Sequence, residues 1–561
     1  MATDTHHPHL TPWERLKAVL TPERGDLWVL VVYGAGVGLL SLVVPITAQA
    51  VVNTAAFGTV LQPLAVLGLV VFGLLVLAGG LRLMQVLVAE RLQQRLFARM
   101  AVDLAWRLPR VRAQVHDTHR VSELVNRFMD VMTIQKATSL ILLDGLALAL
   151  QALVGLTVLA FYSPLLLGFD LLLLGSMALV LFGLGRGAVR TSVQESYRKY
   201  EVVGWLAELA RVPLAFWGPA GGALALRRAD EATQAYLEAR SGHFRILLRQ
   251  VAGTLAVQAL ASGLLLGVGG WLVTRQQLSL GQLVAAELIV APVVASFAKF
   301  GKYLESLYDL LAAVDKVGHL FDLPIQPDGG EPLDRRDGRA AALRLRDVSL
   351  PASPLSTATL RDVDLKVEPG SRVAIVGPYS SGKRLLVDVA VGLREPAHGF
   401  VELDGMDLRE ASTDSLQAQV ALVRGIQLFD GTVQENVAVG RADVSLQDVR
   451  QALDAVCLLD ELSRLPDGLR TRLSGGHTLL SPGQAQRLML ARALVGRPRM
   501  LVLDEALDSL DADVRSQVVD RLLTPGAPWT LLLTTHLPEL AARCDRALRV
   551  QANTLVEVKP S

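Results

Sequence analysis

The 561-residue sequence has little cysteine, few aromatic residues and almost no net charge. Its two cysteines, Cys457 and Cys544, form no CxxC pair and no metal-ligand spacing. That excludes a disulfide framework and a cysteine-based metal centre, and fits two free thiols in a reducing compartment. Lys and Arg number 55 against 54 Asp and Glu, a net charge of +1. A balance this even lacks the basic face that a nucleic-acid partner demands, so no nucleic acid is expected. Residues 1–26 form a polar tail without the basic-then-apolar order and small-residue cleavage site of a cleavable signal peptide. His6, His7 and His9 lie in that tail and are expected to be solvated rather than to hold a metal.

What the chain has in abundance is apolar residues, 51% of the total, concentrated before about residue 310. A bilayer core takes about 20 apolar residues of helix. Six runs qualify: Leu27–Ala56, Pro63–Ala89, Ala137–Tyr162, Pro164–Leu184, Leu247–Val273 and Leu280–Lys299. The first and second, third and fourth, and fifth and sixth are joined by tiny turns that carry one charge, Arg275. The other connections, 90–136 and 185–246, are long and basic, with Arg91, Arg95, Arg99, Arg186, Arg190 and Arg198 among them. By the positive-inside rule they face the cytoplasm, and an even number of spans then puts both termini there. Leu92, Leu96, Met100 and Leu104 recur at helical spacing, so the helices continue past the bilayer. The chain is expected to turn back near Val111–Val121 and Trp205–Gly222, where Pro109 and Pro213 break the pattern. Asp144, Asp170 and Glu287 fall within the spans, where an ionisable group is costly and faces a cavity or a partner. Each is either a substrate or proton contact or a hydrogen bond between helices.

Residues 27–322 thus read as a membrane domain. A linker rich in Pro, Asp and Gly, 323–339, leads to an α/β domain over 340–561. One strand is expected over Ala342–Leu350 and another over Arg372–Val376. The second runs into Gly377-Pro-Tyr-Ser380-Ser381-Gly382-Lys383-Arg384 and an apolar helix, Leu385–Leu393. Strand, glycine loop, Lys and helix make the setting of a phosphate-binding loop. Its backbone N–H groups and helix N-terminus cradle phosphates, and Lys383 reaches the β and γ oxygens. Arg384 stands where a Ser or Thr would bind Mg²⁺. Further on, Arg499–Glu505 reads as a buried strand ending in two acids, suited to metal binding by Asp504 and water activation by Glu505. The strand Trp529–Leu533 ends at Thr534-Thr535-His536, which places His536 to orient a γ-phosphate. Between them Leu480–Gln484 opens a helix over Ala485–Val495. Ser481, Gly483 and the free helix N-terminus there form a second anion site.

The segment Leu480–Leu494, LSPGQAQRLMLARAL, resembles the signature motif and helix of the ABC ATPases, with Pro482 in place of a glycine. Asp504-Glu505 resembles the Walker B motif, Asp508-Ser-Leu-Asp511 the D-loop, and His536 the switch histidine. With the six-span layout, nearly the whole chain resembles an ABC exporter half-transporter. The implied fold is an all-α six-helix transmembrane exporter domain followed by an α/β P-loop nucleotide-binding domain. The resemblance implies a multi-pass subunit of the bacterial inner membrane that uses ATP and Mg²⁺. It implies a dimer in which each nucleotide lies between one subunit's phosphate loop and the other's signature residues, here Ser481, Gly483 and Gln484, with the D-loop Asp511 nearby. It also implies that the two cytoplasmic turnarounds dock on the ATP-binding domains as coupling helices. A looser similarity to the exporters of type I secretion brings in a periplasmic adaptor as a further partner. No peptidase domain precedes the first span, so leader trimming by this chain is not expected.

Four positions depart from the family pattern, all in the chain's own half-site. Arg384 removes the Mg²⁺ hydroxyl, and Ser380 replaces the usual first inner glycine of the loop. Aligning Leu428–Thr432 places Arg424 where a Gln should contact Mg²⁺ and water. Ala352 falls near the position of the adenine-stacking aromatic. Two guanidinium groups at a metal site either repel Mg²⁺ or stand in for it and hold the phosphates. Glu505 and His536 are kept. The expectation is weak or absent hydrolysis at this site, a signature that serves a partner's site, and a heterodimer rather than a homodimer. The competing reading is a non-hydrolysing nucleotide-binding scaffold or regulator. An importer is disfavoured because importers usually keep the two parts on separate chains. Lipid, hydrophobic drug, peptide and secreted protein all stay open as cargo.

Overall fold

The computed structural model describes residues 10–55, 61–116, 125–162, 164–327, 329–334, 339–352, 358–378, 381–473, 479–524, 526–551 and 553–558. The chain forms two compact units. One comprises residues 1–109 and 121–323, the other 110–120 and 324–561.

The first unit is helical. Helix α1 (Pro12–Leu20) opens on a capping box between Thr11 and Glu14 and buries Arg15, whose guanidinium pairs with Asp322 at 2.5 Å. The first apolar run is two helices, α2 (Arg24–Leu40) and α3 (Val43–Ala55), parted at Ser41 and Leu42. The cause is Pro45, which has no N–H for the carbonyl of Ser41 and clashes with it. The second run and its basic extension form one 47-residue helix, α4 (Leu61–Arg107). Helix α5 (Ala113–His116) belongs to the second unit; in the first, helix α6 (Asp130–Leu140) passes through a π-turn, Ile141–Gly145, into α7 (Leu146–Tyr162). Helix α8 (Pro164–Ala178) ends in a second π-turn, Leu179–Leu184, and is followed by α9 (Ala188–Arg211). The longest helix, α10 (Pro219–Thr274), has 56 residues, and α11 (Leu280–Phe321) has 42. A Ser279–Gln282 capping box starts α11.

The second reversal falls within the expected Trp205–Gly222: α9 stays helical to Arg211, and the turn is the short segment Val212–Gly218 with a 3₁₀ stretch over Pro213–Phe216. Pro213 cannot continue the helix, and Gly218, at φ +101°, restarts it. The six apolar runs expected to span the membrane all lie in helical segments. Among the described residues three helical stretches cross on length and composition alone: Pro12–Val52, Ala65–Arg110 and Pro219–Thr274. A fourth is the pair Leu171–Leu184 and Ala188–Arg211, bent by 44°. The π-turn at Ile141–Gly145 interrupts the third run, and in the sixth run the apolar helix is the shorter Leu280–Val290.

The acids within the runs have different surroundings. Asp144, in the π-turn, is paired with Arg82 of α4 at 2.5 Å, and that arginine also donates to the Leu143 carbonyl at 2.6 Å. Glu287 Oε2 is buried with no hydrogen-bond partner among the described residues. The side chain of Asp170 lies outside the described residues.

The second unit is α/β. Strands β1 (Leu343–Leu350), β2 (Leu360–Val367), β4 (His398–Leu403) and β5 (Met406–Asp407) form an antiparallel sheet in the order β2-β1-β4-β5. A six-stranded sheet has the order β12-β11-β3-β10-β9-β6. Its members are β3 (Arg372–Val376), β6 (Val420–Arg424), β9 (Met500–Asp504), β10 (Thr530–Thr535), β11 (Arg546–Gln551) and β12 (Thr554–Val558). A small ladder joins β7 (Gly431–Thr432) and β8 (Arg472–Leu473). Strands β3, β10, β9 and β6 run parallel, and Met500–Leu503 are fully buried. That is why they are a continuous apolar run: helices cover both faces of a parallel sheet. Each such leucine or valine contributes roughly 1.5–3 kcal/mol of burial. In open sheets of this kind ligands gather beyond the carboxyl ends of the strands.

The first reversal belongs to this second unit. Val111 bridges Ile325, Arg112 N donates to the Pro324 carbonyl at 3.0 Å, and Gln326 N donates to that of Arg110 at 2.7 Å. The Arg112 guanidinium also faces Glu395 at 3.5 Å.

Candidate functional site

Strand β3 ends at Val376 and releases the chain into the loop that precedes helix α12 (Lys383–Ala390). Gly382, the residue before α12, has φ +101°, and a Cβ there would meet the Thr359 carbonyl at 3.3 Å. The position therefore needs glycine. Lys383 is buried and folds back, its Nζ donating to the Gly377 carbonyl at 2.6 Å. The same Nζ lies 3.4 Å from Glu505 Oε1, and His536 Nε2 meets that oxygen at 2.7 Å. Lys383, at the start of α12, is thus brought together with Glu505 and His536, which follow the ends of β9 and β10. Their backbone supports are specific. Glu505 holds a left-handed φ of 55° and donates its N–H to the Thr534 carbonyl at 3.1 Å and hydroxyl at 3.0 Å. Such a conformation in a non-glycine residue persists only where the surroundings impose it. Asp508 accepts from Thr535 Oγ1 at 2.7 Å and from His536 N at 2.8 Å, which fixes the histidine.

A second cluster adjoins the first through Thr534. Arg424 closes β6 and Asp504 closes β9, and the two are paired in the strand register. Arg424 Nε donates to Asp504 Oδ2 at 2.5 Å, and its NH1 donates to Asp388 Oδ1 of α12 at 2.6 Å. Thr534 Oγ1 donates to the other Asp504 oxygen at 2.7 Å. Arg394 Nε donates to Asp388 Oδ2 at 2.8 Å. Arg424 NH2 and Ser381 Oγ are buried with no hydrogen-bond partner among the described residues. Arg384 and Ala352 are exposed, and Ser380 lies outside the described residues.

The signature segment is built as a helix start. Ser481 caps helix α13 (Pro482–Val495) by a capping box: Ser481 Oγ accepts from Gln484 N at 3.2 Å and Ser481 N donates to Gln484 Oε1 at 2.8 Å. Pro482 fits the first helical position, where no N–H is required. Gln484 Nε2 donates to Glu461 at 2.7 Å, so its amide is held inside the fold as well as at the helix end. Burial pushes the Glu461 carboxyl up, but the Arg487 guanidinium and the Gln484 amide outweigh it and hold the group below its ordinary range. Gly483 is half-exposed, with open space where a Cβ would go. Asp511 is exposed and precedes the helix Ala512–Leu522.

Sequence reasoning named Asp508 only as part of the D-loop and missed Asp388, Arg394, Glu461 and, in the membrane unit, Arg82. The last had a signal, a lone arginine inside an apolar run. The others are ordinary charged residues; Asp388 and Arg394 are six residues apart, but their cluster closes on Arg424, 36 residues from Asp388.

Two family descriptions match this chain in order: "ABC transporter transmembrane region" over residues 27–201 and "ABC transporter" over residues 360–508. The chain belongs to the ABC transporters. It has the half-transporter architecture, with membrane and ATPase parts on one polypeptide. It is 33% identical over 317 residues to the mycobactin import ATP-binding/permease protein IrtB of Mycolicibacterium thermoresistibile, covering 56% of this chain and 54% of that one. It is 37% identical over 252 residues to the ATP-dependent lipid A-core flippase of Ralstonia nicotianae, covering 44% and 42%. The chain therefore spans about half the length of the curated relatives it matches. Its fold is that of a bacterial Atm1-family ABC exporter solved with ATP bound: TM-score 0.78, 21% identity, 96% of this chain and 95% of that one.

ATP is the nucleotide of this family, and Mg²⁺ its usual companion. The donor set here does not fit Mg²⁺. The ion demands near-octahedral oxygen ligation. Both oxygens of Asp504 are engaged, one by a guanidinium, and the hydroxyl that would follow Lys383 is an arginine.

Proposed function

We propose that this ABC half-transporter is one subunit of an ATP-driven exporter of the bacterial inner membrane, whose own nucleotide site turns over slowly or not at all. The carrying observation is the Arg424–Asp504 pair at 2.5 Å, beside a helix that begins Lys383-Arg384. Glu505 and His536, 2.7 Å apart, supply a base and its orienting group, yet the neighbouring carboxylate is neutralised by a guanidinium. The signature side supports a second role. Ser481 and Gly483 sit on an exposed helix start fit to receive phosphate from a partner's loop. This chain then pairs with a second half-transporter whose phosphate loop is complete, and the dimer works through one competent site. The outward direction rests on the exporter fold. One relative is named for import with both ATP-binding and permease functions in its name, so fusion of the two parts does not by itself set direction.

The test is Mg²⁺-ATPase of the chain alone and with a co-expressed second half-transporter, each beside Glu505→Gln. Activity only in the pair, little changed by Glu505→Gln, supports the reading. Activity of the chain alone that Glu505→Gln abolishes overturns it. Silence in every combination favours a non-hydrolysing scaffold or regulator.

A further inference from the structure

We propose that the phosphate loop of this chain binds a nucleoside triphosphate without a divalent cation, the Arg424 guanidinium standing where the metal would. The inference deepens the degenerate-site reading and rests on it.

Arg424 is held at the edge of the ligand crevice from two sides, by Asp504 Oδ2 at 2.5 Å and Asp388 Oδ1 at 2.6 Å. A planar guanidinium has five donors and cannot be deprotonated in a protein. Two of its nitrogens are engaged here, and the third, NH2, is buried with no acceptor among the described residues. A buried donor without an acceptor costs free energy that a phosphate oxygen would recover. Ser381 Oγ, in the loop itself, is a second buried group without a partner. Both unmet groups belong to the strand-end region where β3, β10, β9 and β6 present their carboxyl ends. The usual function of the cation is to neutralise phosphate charge between the loop and the Walker B carboxylate. Arg424 supplies a permanent positive charge bound to that carboxylate. Lys383 and the exposed Arg384 add two more at the start of α12. A divalent ion would have to displace a guanidinium from Asp504 and sit beside it, against like charge. A metal-free triphosphate meets Arg424 and Lys383 already fixed by carboxylates.

The experiment is equilibrium binding of radiolabelled ATP to the full chain in nanodiscs, in excess MgCl₂ and in excess EDTA. The affinity should change less than about threefold between the two. The double variant Arg384→Ser, Arg424→Gln, which restores the hydroxyl and removes the guanidinium, should bind ATP at least about tenfold more weakly in EDTA than in Mg²⁺. Arg384→Ser alone leaves the buried network intact and guards against misfolding of the double variant. It should retain binding in EDTA. Loss of wild-type binding in EDTA, or no binding under either condition, overturns the proposal. The degenerate-turnover reading is decided separately, by the Glu505→Gln ATPase comparison, so the two can fail independently.

Discussion

Arg424 and Asp504 close two neighbouring parallel strands and meet there as an ion pair, with Asp388 taking the other end of the guanidinium. Asp388 is almost fully buried and receives Arg394 as well. Replacing it with Ala leaves two inward-facing guanidinium groups short of an acceptor. Breaking a buried pair by removing one partner costs on the order of 3–5 kcal/mol. Asp388→Ala should therefore lower the thermal unfolding midpoint of the ATP-binding unit clearly, and Asp388→Asn, which keeps an acceptor oxygen, should lower it less. Equal shifts for the two variants would show that a neutral acceptor rescues nothing, and no shift for either would show that pairing with Arg424 is not what holds the cluster.

Gly483 lies at the second position of α13 with open space around its Cα. Within this chain no steric cost requires glycine here. Gly483→Ala should leave folding and partner-dependent ATPase near wild type. Gly483→Asp puts a carboxylate where a helix N-terminus would receive phosphate. A negative side chain in the first turn stabilises the helix by about 0.3–1 kcal/mol, so the unfolding midpoint should not fall. ATPase of the pair should nevertheless drop at least about tenfold, since about 1.4 kcal/mol suffices for that. Wild-type turnover by Gly483→Asp would remove this helix start from the partner's site.

How much of this was legible beforehand divides by range of interaction. The phosphate loop, the strand ending at Asp504 and the capped helix at Ser481 are local patterns, and sequence alone placed them on the right elements. The long helices were legible from Leu92, Leu96, Met100 and Leu104. The break at Ser41 was not drawn although Pro45 marked it, because a continuous apolar run hides a one-turn interruption. The π-turns at Ile141 and Leu179 have no sequence signal, since they insert one residue without changing composition. The grip of Asp388 on Arg424 spans 36 residues, and that of Arg82 on Asp144 spans 62. Pairings at such separations come from topology, and topology was known only as a class.

In the membrane unit, α6 and α11 are pinned by one ion pair. Lys316 is essentially inaccessible and its ammonium contacts the Asp130 carboxylate, with the Tyr200 ring 4.4 Å from the charge. Asp130→Ala should cost on the order of 3–5 kcal/mol because it strands a buried ammonium. The double variant Asp130→Leu, Lys316→Met removes both charges and should recover most of that loss. Thermal unfolding in nanodiscs reads the difference. A double variant no more stable than Asp130→Ala would mean that packing, rather than pairing, dominates there.

Cys544 gives a pH-dependent prediction in the other unit. It is 6% exposed, its thiol faces the Leu540 carbonyl at 3.7 Å, and burial pushes the group from its ordinary 9.0 up to about 12. The nearby Arg372 pulls the other way, but less than burial pushes. Thiolate is the reactive form, so Cys544 in a Cys457→Ala background should resist alkylation in the native protein at pH 8–9 and react on unfolding. The stability consequence follows from proton counting. Above 9.0 the unfolded chain loses the thiol proton while the folded chain keeps it, so the unfolded state binds fewer protons and stability falls as pH rises. The loss runs from about 9 to about 12, and below 9.0 the group contributes no slope. Cys544→Ala removes the titration. Its unfolding midpoint should fall less steeply than that of wild type across the same interval. Parallel curves for the two proteins, or rapid alkylation of native Cys544 at pH 8, would place the thiol in water rather than in the core that packs Leu540 and Ala547 around it.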